Sequence, residues 1–343
     1  MKAMLLNQIY NLDENITPLE MTDIPQPVPS NDEILVKIST CGVCHTELDE
    51  IEGRTPPPHF PVIPGHQVVG YVKEIGGNVT IHKIGDRVGI AWIYSACGEC
   101  KFCMAGNENL CSHFKATGRD ANGGYCEYMT VPQRFAYPIP DIFSDSEAAP
   151  LLCAGAIGYR SLRLTGMKDG DNLGLTGFGG SGHIVLKLVK QQYPNSKVFI
   201  FSRTERERKF ARELGAKWTG DIGEEAPEKM RAIIDTTPVW KPVVEALNNL
   251  EPGGRLVINA IRKEDVDKEF LLKLDYTTQL WMEKEIKSVA NVTRNDVIEF
   301  LDLASRIPIK PEYEEFDLQD ANQALLELKT RKIRGAKVLN IDK

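Results

Sequence analysis

No stretch of this 343-residue chain approaches the roughly 18 consecutive apolar residues needed to cross a bilayer. The opening Met1–Gln8 also lacks the apolar core of a secretory signal, so a cytoplasmic protein with no membrane partner is expected. Positive charge is scattered and outnumbered: 41 Lys and Arg stand against 48 Asp and Glu, a formal net charge of −7. Without a basic cluster to track a phosphate backbone, a nucleic-acid or anionic-membrane partner is disfavoured. There is no internal repeat and no low-complexity run. Cysteine, by contrast, is plentiful. In a reducing compartment the 8 cysteines are expected to be free thiols or metal ligands rather than disulfides.

The length suits two domains, and 42% hydrophobic residues are enough for two cores. The first 150 residues read as β-rich. Glu33-Ile34-Leu35-Val36-Lys37-Ile38 and 68–75 are strand-length apolar runs bounded by Pro, Gly and Asn. Gly85-Asp86-Arg87-Val88 reads as a turn into another strand. From about residue 153 short strands alternate with helical segments: 172–176, 181–192, 198–201, 204–214, 232–235 and 239–250. Pro252-Gly253-Gly254 then turns the chain into a strand over 255–259. This alternation predicts an α/β fold with a parallel, doubly wound sheet. Two amphipathic helices, 296–306 and 318–329, and a strand near 337–341 form a tail expected to pack back on the first domain.

Cys97, Cys100, Cys103 and Cys111 lie in one short loop, a spacing that wraps four thiolates around one tetrahedral ion. A ferredoxin-type cluster would place its fourth cysteine three residues on, with proline behind it; here the gap is seven and Ser112 follows. Zinc is the expected ion, and a closed four-thiolate site is structural. Cys41-Gly42-Val43-Cys44 alone resembles a redox pair, but the surroundings lack a thioredoxin-like βαβ unit. Cys44, His66 and Cys153 could supply the three ligands of a catalytic zinc with one open position, if the fold brings three distant segments together.

Gly177-x-Gly179-Gly180-x-Gly182 follows an expected strand and opens an expected helix, the context of a dinucleotide fingerprint. The glycines permit a tight turn and close approach of a pyrophosphate to the helix N-terminus. At the end of the next strand NAD enzymes generally place Asp or Glu for the ribose 2′-hydroxyl. This chain has Ser202-Arg203-Thr204 there, no carboxylate, and a guanidinium fork that suits a 2′-phosphate, so NADP(H) is expected ahead of NAD(H). Arg206 and Arg208, alternating with Glu205 and Glu207, read as a solvated helix face.

Taken together these motifs resemble the zinc-dependent alcohol dehydrogenases of the medium-chain dehydrogenase/reductase superfamily, over nearly the whole chain. The chain is most similar to the cinnamyl-alcohol-dehydrogenase-like branch. Cys41-Gly42-Val43-Cys44-His45-Thr46-Glu47, Pro64-Gly65-His66-Gln67-Val68-Val69-Gly70 and Pro150-Leu151-Leu152-Cys153-Ala154-Gly155 resemble the family's three zinc-ligand segments. The resemblance implies a β-rich, GroES-like catalytic domain, 1–152 with 288–343, and a Rossmann domain, 153–287. It implies two zinc ions per chain, the catalytic one on Cys44, His66 and Cys153. Thr46 would pass a proton to or from the substrate, Glu47 would orient His66, and His45 would lie near the cofactor pyrophosphate. Trp92 falls where the family has an aromatic wall of the substrate pocket.

Two positions depart from the family pattern: Gln67 replaces a glutamate beside the metal, and Asp49 replaces the outer histidine of the proton relay. Asp49 either releases protons through water or has no catalytic part. The implied activity is hydride transfer between NADP(H) and a small alcohol/aldehyde pair, by a homodimer or homotetramer. The alternatives are an NAD-dependent alcohol or polyol dehydrogenase and a non-catalytic zinc- and NADP-binding redox sensor.

Overall fold

The computed structural model describes residues 1–307, 309–330 and 334–342. Residues 308, 331–333 and 343, which belong to the expected 288–343 segment, lie outside the described residues. The chain forms two compact units, Met1–Ala156 with Val292–Lys343, and Ile157–Asn291.

The first unit is built on a seven-stranded sheet. Its order is Tyr313–Asp317, Ala336–Asn340, Glu33–Val43, Val68–Ile75, Arg87–Ile90 and Ala136–Pro138, with Tyr128–Pro132 also paired to Glu33–Val43. Glu33–Val43 is long enough to be shared. One edge pairs antiparallel with Val68–Ile75. The other edge takes Tyr128–Pro132 along 33–37 and Ala336–Asn340 along 40–43. A strand with partners on both edges should be apolar almost throughout, and Ile34, Leu35, Val36, Ile38 and Cys41 are all buried. Losing one such side chain, as in Ile38→Ala, costs about 2–5 kcal/mol. The tail helix Arg294–Arg306 begins at a Thr293 cap, whose hydroxyl accepts from the Asp296 N–H.

The second unit carries a six-stranded sheet in which every pairing is parallel. Its spatial order is Trp218–Gly220, Val198–Phe201, Leu173–Thr176, Met230–Asp235, Leu250–Ile258 and Glu285–Ser288. Numbered along the chain this is 3-2-1-4-5-6, the doubly wound order of dinucleotide-binding sheets. The central strands, Leu173–Thr176 and Val198–Phe201, are buried throughout, as a sheet covered on both faces requires. The α/β expectation, a doubly wound sheet beside a β-rich unit, therefore holds.

Local details differ from the sequence expectation. The expected helix over 239–250 is α-helical only over Lys241–Ala246, then a 3₁₀ turn, and Leu250 already belongs to the next strand. Pro252-Gly253-Gly254 is a bulge inside that strand, where the register jumps from Met230↔Leu250 to Ala232↔Arg255. A helix Ala156–Thr165 was not expected.

Candidate metal and cofactor sites

The register of the first sheet brings two distant candidate ligands together. Cys41 pairs with Val68 across antiparallel strands. Cys44, three residues past the first, and His66, two before the second, therefore emerge at the same end of the sheet. Gly65 makes the approach possible: its φ is +98°, and a Cβ there would sit 2.4 Å from the Tyr125 ring. Cys153 arrives on a π-helical turn, Leu151–Gly155, that follows the helix Asp145–Pro150. Ser144 caps that helix in a reciprocal box with Glu147. The ligand atoms of Cys44, His66 and Cys153 all lie within 4.8 Å of one another, and His66 Nε2 is 3.2 Å from Cys153 Sγ.

One carboxylate organises two of the three. Cys44 is the N-cap of the helix His45–Ile51, and its N–H donates to Glu47 Oε2 at 2.7 Å. Glu47 Oε1 lies 2.6 Å from His66 Nδ1, which leaves Nε2 facing the cysteines. Cys153 beside it holds the Cys44 thiol well below its ordinary range, against the opposing effect of burial; His66 acts in the same direction. Cys153 is pushed up by that same contact and by burial. Burial favours neutral His66, but the Glu47 charge and the Cys44 side chain outweigh it and raise the imidazole pKa well above its usual range. Two thiols and an imidazole at this spacing match the donor set and size of a zinc site with an open fourth position.

The four-cysteine loop also converges. Cys97 Sγ is 3.8 Å from Cys103 Sγ and 3.5 Å from Cys111 Sγ. A zinc–sulfur bond of about 2.3 Å implies tetrahedral edges of about 3.8 Å, so the group fits zinc. Backbone N–H groups of Glu99 and Cys100 hold the Cys97 thiol down to about 6, favouring the thiolate that a metal needs.

Thr46 is buried, with Oγ1 3.6 Å from Cys44 Sγ. Asp49 is buried too, and Arg54 Nε donates to its carboxylate at 2.6 Å. His45 is exposed. Trp92 packs in the core of the first unit, its ring 5.1 Å from that of Phe114, and its buried Nε1 has no hydrogen-bond partner among the described residues.

In the second unit the glycine run joins Leu173–Thr176 to the helix Gly180–Gln192. Gly177 takes φ +82°, and a Cβ there would meet Thr236 Oγ1 at 2.6 Å. Gly179 is different. A Cβ on it would meet nothing within 4 Å, so packing within the chain does not require a glycine there. The open space lies at a helix N-terminus with no side-chain cap, a cradle that suits a pyrophosphate. Arg203 is exposed and has no hydrogen-bond or ion-pair partner among the described residues. Ser202 is fully buried and its hydroxyl donates to Glu207. Thr204 caps the helix Glu205–Glu213. The expected solvated helix face needs correcting, because Glu207 and Arg208 turn back to the strand end. Arg208 Nη1 donates to the Ser202 carbonyl at 2.7 Å.

Sequence reasoning missed a buried pair at the same end of this sheet. Asp235, fully buried at the end of Met230–Asp235, accepts from Thr176 Oγ1 at 2.5 Å and from Lys263 Nζ. Its signal was a carboxylate closing an apolar strand run, Ala232-Ile233-Ile234-Asp235.

A doubly wound parallel sheet and a β-rich unit with two thiol-rich groups able to hold a metal together define a zinc-binding dehydrogenase architecture. Residues 30–141 match the alcohol dehydrogenase GroES-like domain. The chain is 44% identical over 331 residues to the protein named Probable alcohol dehydrogenase AdhA of Mycobacterium tuberculosis, covering 94% of this chain and 93% of that protein. Two solved structures share the fold at lower identity. A cinnamyl alcohol dehydrogenase of Sorghum bicolor is 24% identical with a TM-score of 0.84, covering 99% of this chain and 97% of that one. CAD from Helicobacter pylori, complexed with NADP(H), is 22% identical with a TM-score of 0.86 at the same coverage. The chain belongs to the zinc-dependent alcohol dehydrogenases of the medium-chain dehydrogenase/reductase superfamily.

Proposed function

We propose that this alcohol dehydrogenase works as an NADP(H)-dependent aldehyde reductase holding two zinc ions per chain. The observation that carries the proposal is the convergence of Cys44, His66 and Cys153, with Glu47 bonded to one ligand residue and touching another. Cys44, His66 and Cys153 would hold the catalytic ion, and Cys97, Cys100, Cys103 and Cys111 the structural one. Residues 1–152 with 288–343 would form the catalytic domain, and 153–287 the cofactor domain. When bound, the metal supplies Lewis acidity toward the substrate oxygen and the nicotinamide supplies the hydride.

The chain's own residues do the rest. Glu47 orients the imidazole and fixes which nitrogen faces the metal. Thr46 Oγ1, buried beside Cys44, passes a proton to the oxygen of the reduced product and recovers one from solvent. Asp49 braces the following loop through Arg54 rather than relaying that proton. Trp92, half committed to Phe114 and with a free indole N–H, forms a wall of the substrate pocket. The Gly177–Gly182 turn receives the pyrophosphate, and Arg203 with Thr204 receives the 2′-phosphate. Ser202 contributes no donor, because its hydroxyl is spent on Glu207.

A second reading rests on that same contact. The Glu207 carboxylate reaches the strand end and could accept from a ribose 2′-hydroxyl, which would favour NAD. Initial rates of reduction of an aromatic and an aliphatic aldehyde, with NADPH and NADH in parallel, decide between them. Faster turnover with NADPH supports Arg203; faster turnover with NADH supports Glu207. Cofactor binding without any turnover would favour a sensor.

The edge strand Glu285–Ser288 is exposed along its whole length, and Leu272, Tyr276, Trp281 and Ile286 are exposed large apolar residues of the same unit. An unpaired edge with nearby apolar surface suits a second copy of the chain, which supports a homodimer or homotetramer. Sedimentation of the wild type and of Ile286→Lys tests it, with the variant expected to dissociate. Among the described residues no helix is long and apolar enough to cross a membrane. Thiols poised for metal suit the reducing cytoplasm.

A further inference from the structure

Glu50 is the least expected side chain in the first unit. It lies on the helix His45–Ile51 with 1% of its surface exposed, and neither carboxylate oxygen has a hydrogen-bond partner among the described residues. Carboxylates are almost never buried unless paired, and a buried orphan calls for a counterpart. Three residues separate it from Glu47, so the two share a helix face, the one that meets His66. Without a metal, burial and then the Glu47 charge push its carboxyl well above the ordinary range, against His66 and Arg119. The group therefore lies within the electrostatic reach of the cluster, and a cation there would favour its ionised form. Arg119 is the nearby fixed cation, but its Nε and Nη2 are bonded to Asp120 at 3.2 and 2.8 Å. Tyr125, also buried with a hydroxyl unpartnered among the described residues, feels the charge of Glu50 along with that of Glu47, Cys41 and Cys44. The residue next to ligand His66 is the buried but neutral Gln67.

We propose that Glu50 is the electrostatic counterpart of a metal ion on Cys44, His66 and Cys153, holding that ion from behind its ligands and supplying the charge that position 67 lacks. The inference rests on the proposed metal centre. Glu50 acts on the ion through the field of a buried carboxylate, without being one of its ligands. It strengthens retention of the cation in a low-dielectric setting, and it burdens the protein when the cation is gone.

The test uses the zinc-loaded full chain and Glu50→Gln, which keeps the shape and removes the charge. Zinc released during dialysis against a chelator is followed by atomic absorption, and melting temperatures are taken for loaded and stripped protein. In the wild type two release phases are expected, one from the four-cysteine loop and one from the triad. Glu50→Gln should speed the triad phase about 10- to 100-fold, the range seen for groups behind a metal's ligands, and leave the loop phase unchanged. Stripped Glu50→Gln should melt above stripped wild type, since burying the Glu50 carboxyl without a cation, ionised or with a proton taken up, costs stability that the amide does not. A purely structural residue would lower both melting temperatures equally and leave release alone, and that result overturns the inference. Adding Gln67→Glu to Glu50→Gln should return release toward the wild-type rate; a double variant no slower than Glu50→Gln also counts against it. Wild type that releases only the loop's zinc would sink the metal centre itself, a different failure from equal release by wild type and variant.

Discussion

Glu47 Oε1 stands 2.6 Å from His66 Nδ1, with both side chains buried, while Glu47 Oε2 accepts from the backbone of Cys44. A single carboxylate thus ties Cys44 on a helix cap to His66 at the strand entry, two of the three proposed metal ligands. The contact settles the imidazole's orientation ahead of substrate binding.

Removing it should loosen the metal. Glu47→Ala is expected to weaken zinc retention by about 10- to 100-fold, with a matching fall in activity that excess zinc partly restores. Zinc content after dialysis, measured beside activity, checks this. Unchanged zinc content would mean that His66 is held by its backbone alone.

The four-cysteine loop should behave independently. Cys103→Ser is expected to cost one zinc per chain and to open 97–111 to proteases, since a closed thiolate site orders the loop around it. Mass spectrometry of early cleavage products locates the damage. Cleavage elsewhere first would contradict a local role.

Arg203 has no hydrogen-bond or ion-pair partner among the described residues, so its loss should be felt only through the cofactor. Arg203→Ala is expected to raise KM for NADPH by on the order of tenfold to a hundredfold, from about 1.5–3 kcal/mol of charged hydrogen bonding, with KM for NADH unaltered. Equal increases for both cofactors would show a general effect on folding.

At the start of the strand Glu33–Val43, Tyr94 donates to Glu33 Oε1 at 2.6 Å. Burial alone would raise the Glu33 carboxyl, but hydrogen bonds from Tyr94 and Ser30 outweigh it and hold the group below its usual 4.5. Because the folded value is the lower one, this stabilisation is complete above 4.5 and fades as pH falls through the folded value. Tyr94→Phe should therefore lower the melting temperature near neutral pH, by about 1 kcal/mol of stability, and the deficit should shrink in acid. A deficit that does not change with pH would assign the loss to packing instead.

Local spacing made much of this legible. The Cys97–Cys111 loop is confined to one segment, so its four thiols read as one site from their spacing alone. The glycine run and the alternation after residue 153 similarly announced a doubly wound sheet, because each strand and helix carries its own periodicity. Boundaries were harder: the register of a neighbouring strand drew Leu250 and the Pro252-Gly253-Gly254 bulge into the sheet, overriding their local preferences.

What the sequence by itself determined were the residue types and their short-range order: which thiols, which imidazole, which glycines, and the absence of a carboxylate at positions 202–204. Only the tertiary structure decided which of them meet. The Cys41↔Val68 pairing delivers Cys44 and His66 to one place, and the π-helical turn brings Cys153. Folding also turns Ser202 toward Glu207 and buries Glu50 with no hydrogen-bond partner for its carboxylate among the described residues. Contacts between distant segments follow from sheet register and side-chain direction, and neither is written in the spacing of residues along the chain.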